Sequence, residues 1–177
     1  MSNPIKKLFG EIAIYGVSSI VGRLLNYLLV PLYTYVFVNP ADYGVVSELY
    51  AWVAFLIVVL TFGMETAFFK FIQNEKDKTN VFSTSFSALL TLNSLFFFLI
   101  LIFNEDISRL MLYENHGEYV IMLGAIVSID AICALPLAKL RAEEKAKKFS
   151  IIQLSSIAVN IVLNLIFLIG YFNPQNP

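Results

Sequence analysis

Long apolar runs alternate with short polar breaks five times along this chain, over about residues 10–38, 43–71, 81–103, 118–137 and 150–172. Each run is long enough to cross a hydrocarbon core about 30 Å thick, which takes roughly 20 helical residues. Strands of a membrane β-barrel would alternate apolar and polar side chains over about ten positions, and these runs do not. The pattern predicts an all-α, polytopic integral membrane protein with five transmembrane helices in one membrane domain. The first two runs are the longest, which predicts that they tilt or protrude.

The breaks carry helix punctuation. Asn39-Pro40-Ala41-Asp42 reads as an N-cap, a proline in the first turn and an acid near the positive helix end. Asn173-Pro174 stops the fifth helix. Pro31 and Pro136 fall inside apolar runs, where each removes a backbone hydrogen bond and predicts a kink.

Composition strengthens this reading. Apolar residues make up 58% of the chain, 16 of them Phe, and charged residues 14%, against about 25% charged in a soluble domain. A soluble domain of this size has too little interior for so many apolar side chains, so lipid covers part of the surface. The net charge of −1, with no basic block interleaved with aromatics, gives no sign of a nucleic-acid partner. The single cysteine, Cys133, excludes an intrachain disulfide framework and is expected as a small packing residue. Met1 to Lys7 is short and basic ahead of apolar sequence, as in a signal peptide. The run that follows is too long for an h-region, lacks an Ala-x-Ala-like site and carries Arg23, so it reads as an uncleaved first membrane helix.

Lys and Arg orient the helices. Lys6 and Lys7 precede the first, Lys70, Lys76 and Lys78 surround the second break, and Lys139, Arg141, Lys145, Lys147 and Lys148 surround the fourth. Ten of the 12 basic residues thus fall on one side, with Arg109 opposite and Arg23 inside a helix. That bias places the ten-charge side and the N-terminus in the cytoplasm. The opposite side has an acidic break with Glu105, Asp106, Glu114, His116 and Glu118. A carboxylate–His metal site is conceivable there, but nothing enforces ligand spacing, and a solvated loop is the favoured reading. No metal or other cofactor is assigned.

Polar groups inside the apolar runs say most about function, because a charge at the bilayer centre costs at least about 2.5–3.5 kcal/mol and usually faces a cavity or a partner. Helical spacing puts Gly16, Ser19, Arg23, Asn26 and Tyr27 on one face of the first helix. Leu24, Leu25, Leu28 and Leu29 lie opposite. A guanidinium there suits an anionic ligand such as a phosphate. Its alternative is pairing with a carboxylate, Glu48 or Asp130. Glu48 in the outer half of the second helix, Glu65 near its cytoplasmic end and Asp130 midway along the fourth are candidates for ion coupling or gating. For Glu48 and Glu65 an interfacial carboxylate in reach of water is the competing reading, and for Asp130 structural pairing. Thr84, Ser87, Thr91 and Ser94 share a face of the third helix, and Gln153, Ser156, Asn160 and Asn164 one of the fifth. The former suits hydrogen bonds between helices, the latter a cavity wall. A polar path lined by the first, second, fourth and fifth helices fits a transporter of an amphiphile or anion, with Ser19, Arg23, Asn26, Asn160 and Asn164 as substrate contacts. There is no P-loop, His-Glu-x-x-His or Gly-x-Ser-x-Gly motif, and no nucleophile–base pair that would make the chain an enzyme.

Specific stretches also resemble a family. Tyr15-Gly16-Val17-Ser18-Ser19-Ile20-Val21-Gly22-Arg23-Leu24-Leu25-Asn26 is similar to the first helix of bacterial polysaccharide biosynthesis flippases, in the multidrug/oligosaccharidyl-lipid/polysaccharide exporter superfamily. Pro31-Leu32-Tyr33-Thr34 and Pro40-Ala41-Asp42-Tyr43-Gly44 resemble the helix end and turn that follow. Gly63-Met64-Glu65-Thr66-Ala67-Phe68-Phe69-Lys70-Phe71 resembles the second-helix end, where a basic residue near Lys70 is usual. The resemblance covers nearly the whole chain, most specifically residues 1–71.

The resemblance implies most of one six-helix lobe of a MATE-like flippase in the bacterial cytoplasmic (inner) membrane. Such a protein moves undecaprenyl-diphosphate-linked oligosaccharide to the outer leaflet by alternating access, in lipopolysaccharide-type surface polysaccharide biosynthesis. Arg23 matches a first-helix arginine expected to face the cavity, and coupling would be to an ion gradient or membrane potential. Five helices fall one short of such a lobe and include no second repeat to rock against. The expectation is a piece of a longer two-lobe transporter that would partner its C-terminal lobe, with lipid-linked oligosaccharide and membrane lipids as ligands. Alternatives are a cation-coupled multidrug exporter of the same superfamily and a truncated, non-transporting membrane protein.

Overall fold

The computed structural model describes residues 16–17, 20–21, 24, 27, 29–37, 39–74, 77–113 and 116–171. The described residues contain helices α1 (Leu29–Val36), α2 (Pro40–Leu60), α3 (Met64–Asn74), α4 (Lys78–Leu110), α5 (Gly117–Ala142) and α6 (Ala146–Leu165). A π-helical turn, Ile166–Tyr171, extends α6. Among the described residues, four stretches are long and apolar enough to cross a membrane: Tyr43–Asn74, Lys78–Leu110, Gly117–Ala142 and Ala146–Leu168. The predicted first span lies largely outside the described residues; residues 16, 17, 20, 21, 24 and 27 are helical, ahead of α1.

The chain divides into two compact units, one of residues 1–47 with 143–177 and one of residues 48–142. In the first, α2 begins as its sequence dictates: Asn39 Oδ1 accepts the Ala41 backbone N–H at 3.1 Å, ahead of Pro40 in the first turn. Tyr33 of α1 stacks obliquely on Tyr43, ring centroids 6.2 Å apart.

The second unit is built on the antiparallel pair α4 and α5. Asp77 starts α4 by accepting the Thr79 and Asn80 N–H groups, each at 3.1 Å, and Asn80 Nδ2 adds a bond to Asp77 Oδ2. Matched positions run down the pair. Asn104 faces Gly117 and Ile100 faces Gly124. Further along, Leu89 clusters with Leu135, and Lys139 Nζ lies 4.1 Å from the Phe82 ring centroid. A Cβ on Gly124 would come within 2.9 Å of Ile100 Cγ2, so the absent side chain lets the helices approach closely. Two buried clusters attach the second apolar run to this pair. Leu60 of α2 joins Leu123, Val127 and Ala131. Phe68 of α3 joins Leu89, Leu135 and Ala138.

Three expectations are corrected. The second run is not one helix: α2 stops at Leu60 and α3 restarts at Met64, with Phe62 (φ 48°) and Gly63 (φ 62°) in the left-handed region. A continuous apolar run shows that a segment is buried in lipid or protein, not that its backbone is unbroken. The helices also run past their apolar stretches, so that Lys139, Arg141, Lys147 and Lys148 lie on α5 and α6 and the connection is only residues 143–145. At about 1.5 Å per residue, α4 spans about 50 Å, well beyond the hydrocarbon core, and its backbone stays paired in water as in lipid. Pro136 sits inside α5, and non-helical torsions inside a long helix occur at Phe103 of α4 (φ −104°, ψ 17°). Cys133, expected to pack, is exposed on α5.

Candidate functional site

Ser19, Arg23 and Asn26, the first-helix substrate contacts expected from the sequence, lie outside the described residues. The other predicted residues fall into separate groups in the two units.

In the second unit, two predicted carboxylates tie the ends of the second span to α5 and to the turn before it. Glu48, in the third turn of α2, accepts a hydrogen bond from the Tyr113 hydroxyl at 2.7 Å. Tyr113 lies between α4 and α5, and its ring meets Tyr119 edge-on at 6.0 Å. Partial withdrawal from water, then the adjacent Glu48 carboxylate, push its phenol up to about 12, because both disfavour phenolate. At the other end, Arg141 Nη2 in the last turn of α5 donates to Glu65 Oε2 at 2.7 Å in the first turn of α3. Glu65 is favourably placed at that helix start. Arg141 also lies 5.6 Å from the Phe69 ring centroid. The side chains are 36% and 38% exposed, a half-wet interfacial setting rather than a dry core.

Asp130, the third predicted carboxylate, is exposed on α5, and no described side chain bonds to it. Along that helix Met122, Ile126 and Ile129 are also exposed. It is a carboxylate on an otherwise apolar, membrane-length surface.

Between the two ties lies a residue that the sequence pattern did not single out. Asn93 of α4 is fully buried. Its amide donates to Leu89 O at 2.9 Å and, at 3.4 Å, to Leu60 O, the last residue of α2 before the break. The interruption frees backbone acceptors, and a side chain from the neighbouring helix supplies a donor. Asn93 Oδ1 and Ser128 Oγ are buried without a partner among the described residues. The available signal was a lone amide, Asn93, in the apolar run 81–103 beside a Gly63 that disfavours continuous helix.

In the first unit, the predicted stripe on α6 is partly assembled. Asn164 Nδ2 donates to Asn160 O at 2.8 Å and to Asn160 Oδ1 at 3.1 Å. Asn164 Oδ1 in turn accepts from the Tyr33 hydroxyl at 2.8 Å. Asn160 and Asn164 are thus joined in a chain reaching α1, with Tyr33 as a member that spacing along α6 could not reveal. Gln153 Oε1 is buried without a partner among the described residues. The stripe on α4 is exposed, and the Thr91 hydroxyl bonds back to Ser87 O at 2.8 Å.

Compared with known proteins, a family model described as polysaccharide biosynthesis protein matches residues 36–173. That range takes in Pro40–Gly44 and Gly63–Phe71 and begins after the stretch around Arg23. No curated protein and no solved structure matches the chain.

Proposed function

The chain belongs to the polysaccharide biosynthesis protein family, and from that membership we propose that it forms part of a flippase moving lipid-linked oligosaccharide across the bacterial cytoplasmic membrane. The carrying observation is the coincidence of the family match with four membrane-length helices over the same residues. A glycan-assembly protein built almost wholly of such helices has the means to pass a polar head group through the bilayer, and we read it as a transporter rather than an enzyme. In this reading the N-terminus is cytoplasmic and five spans form most of one lobe, completed by a second lobe. Alternating access moves an undecaprenyl-diphosphate-linked unit. Ser19, Arg23, Asn26, Asn160 and Asn164 contact the head group, and Glu48, Glu65 and Asp130 serve gating or coupling. The positive-inside bias supports the orientation, and the amide chain Tyr33–Asn164–Asn160 supports a polar wall on α6.

The test is export in cells. Arg23→Ala in the complete transporter should abolish surface polysaccharide while membrane insertion stays normal, with lipid-linked intermediates held in the inner leaflet. Full export by that variant sinks the cavity role of Arg23.

Asp130 favours a second reading, cation-coupled export of small amphiphiles. A mid-membrane carboxylate on an apolar surface needs a cation, a proton or a partner. Drug efflux that collapses in Asp130→Asn, with surface polysaccharide unchanged, would select that reading.

A further inference from the structure

At the end of the α4–α5 pair remote from Lys139 and Arg141, the two helices enclose a cavity of about 410 Å³ lined by Asn104, Glu105, Ser108, Arg109, Gly117 and Glu118. Its volume falls within the roughly 300–1,000 Å³ of small-molecule sites, and its wall is mainly polar. The cavity depends on Gly117, where a Cβ would stand 2.6 Å from Asn104 Oδ1. Ser108 anchors the floor: it is buried, and its hydroxyl donates to Tyr113 O at 2.6 Å. The Asn104 amide donates to Leu101 O at 2.7 Å, which holds its oxygen toward the cavity side of Gly117.

The charged groups at the rim are little committed to one another. Arg109 reaches Glu105 only at 3.9 Å, with side chains 68% and 81% exposed. Glu118 is held by His116 Nδ1 at 2.9 Å, and that imidazole stacks on Tyr119, 4.8 Å between centroids and 8° between planes. The cavity therefore offers guanidinium and amide donors, two carboxylate acceptors and an adjoining flat aromatic stack.

We infer that this cavity is a recognition site for neutral, polyhydroxylated glycan on the face opposite the basic helix ends. An isolated phosphate would meet two carboxylates beside one guanidinium, and a divalent cation would meet the guanidinium. Among the described residues no group of three or more His, Cys, Asp or Glu is placed to hold a metal. A sugar hydroxyl both donates and accepts, so adjacent hydroxyls on one ring use Arg109 and Glu105, or Asn104 and Glu118, together. The glycan of a transported lipid would meet this site on the receiving side; that step rests on the export reading, whereas glycan binding does not.

The test uses the full chain in nanodiscs, where both faces are open. Calorimetry is run with chitotetraose and maltotetraose as neutral probes, a galacturonate tetramer as the anionic one and inorganic phosphate as the ion control. At least one neutral tetramer should bind more tightly than the galacturonate tetramer. Arg109→Ala and Asn104→Ala should each weaken it at least about tenfold, and Lys139→Ala near the far end of α5 should leave it unchanged. Arg109 is a surface residue, so its variant probes the site without touching the core. Binding of phosphate alone, no binding of either neutral tetramer, or equal binding by the wild type and both variants overturns the site. A chromosomal deletion separates the two readings. Loss of surface polysaccharide on deletion, with glycan binding insensitive to Arg109→Ala, removes the site and leaves export standing. Unchanged surface polysaccharide on deletion removes export and leaves the binding result to be judged by itself.

Discussion

Arg141 of α5 donates to Glu65 of α3 at 2.7 Å, so the short helix after the break in the second span is held to the end of α5 by an ion pair as well as by Phe68. Both side chains are more than a third exposed, which limits the pair to about 1 kcal/mol. Glu65→Gln and Arg141→Gln should each lower stability by up to that amount, and the double variant should cost less than the sum. Unfolding in mild detergent, arranged as a double-mutant cycle, gives the coupling directly. Additive losses would mean that the pair contributes nothing beyond its separate side chains.

Asn93 tests the break itself. Asn93→Leu keeps nearly the same volume but removes the donor to Leu60 O and Leu89 O, leaving the freed carbonyl of the α2 end unpaired in a dry core. A loss of about 1–3 kcal/mol in detergent unfolding is expected. An unchanged stability would show that the Leu60 carbonyl finds another partner.

Gly63 is a purely conformational test of the same break. Nothing lies within 4 Å of a Cβ placed there, yet its φ is +62°. Gly63→Ala should therefore cost about 1–2 kcal/mol through backbone strain alone. Trimming neighbouring side chains should not restore it.

Gly124 gives the opposite case, crowding without strain. An added methyl would meet Ile100 at 2.9 Å, and Ile100 is buried. Gly124→Ala should destabilise by about 1–3 kcal/mol. Ile100→Ala in the same molecule should recover part of the loss. Failure to recover any of it would place the clash elsewhere.

Tyr113 gives a pH signature. Its phenol is raised to about 12 from an ordinary value of 10.0, by burial first and by Glu48 second. The folded state holds the proton more tightly, so this stabilisation is complete below pH 10 and disappears as pH rises from about 10 to 12. Spectrophotometric titration of the folded protein should show a late-ionising tyrosine that Tyr113→Phe removes. Glu48→Gln should move it downward without returning it to 10.0, since burial remains.

Much of the fold was legible along the chain because lipid imposes a one-dimensional rule: a span needs enough consecutive apolar residues to cover its backbone. The last three runs are found as α4, α5 and α6, and the Asn39-Pro40 start of α2 caps as expected. Helix ends were less legible, since hydropathy marks where lipid stops and not where backbone pairing stops. The charged turns carrying Lys139, Arg141, Lys147 and Lys148 fall outside the apolar runs, yet they are helical.

Within the candidate site, single side chains were visible and their relations were not. Glu48, Glu65, Asp130, Asn160 and Asn164 stand out because a polar group in an apolar run is costly. Their partners Tyr113, Arg141 and Tyr33 are 65, 76 and 131 residues away from Glu48, Glu65 and Asn164 respectively. No local period links such pairs. The sequence by itself determined an α-helical membrane protein, four of its apolar spans and its charge asymmetry, because each depends on composition within a window of about 20 residues, and its motifs pointed to the family whose model matches residues 36–173. The tertiary structure alone decided the break at 61–63, the burial of Asn93 against it, the Gly124–Ile100 approach and the pairing of Glu48 with Tyr113 and of Glu65 with Arg141. Those features arise only when helices distant in sequence pack side by side, where satisfying one buried polar group or fitting one methyl selects the contact.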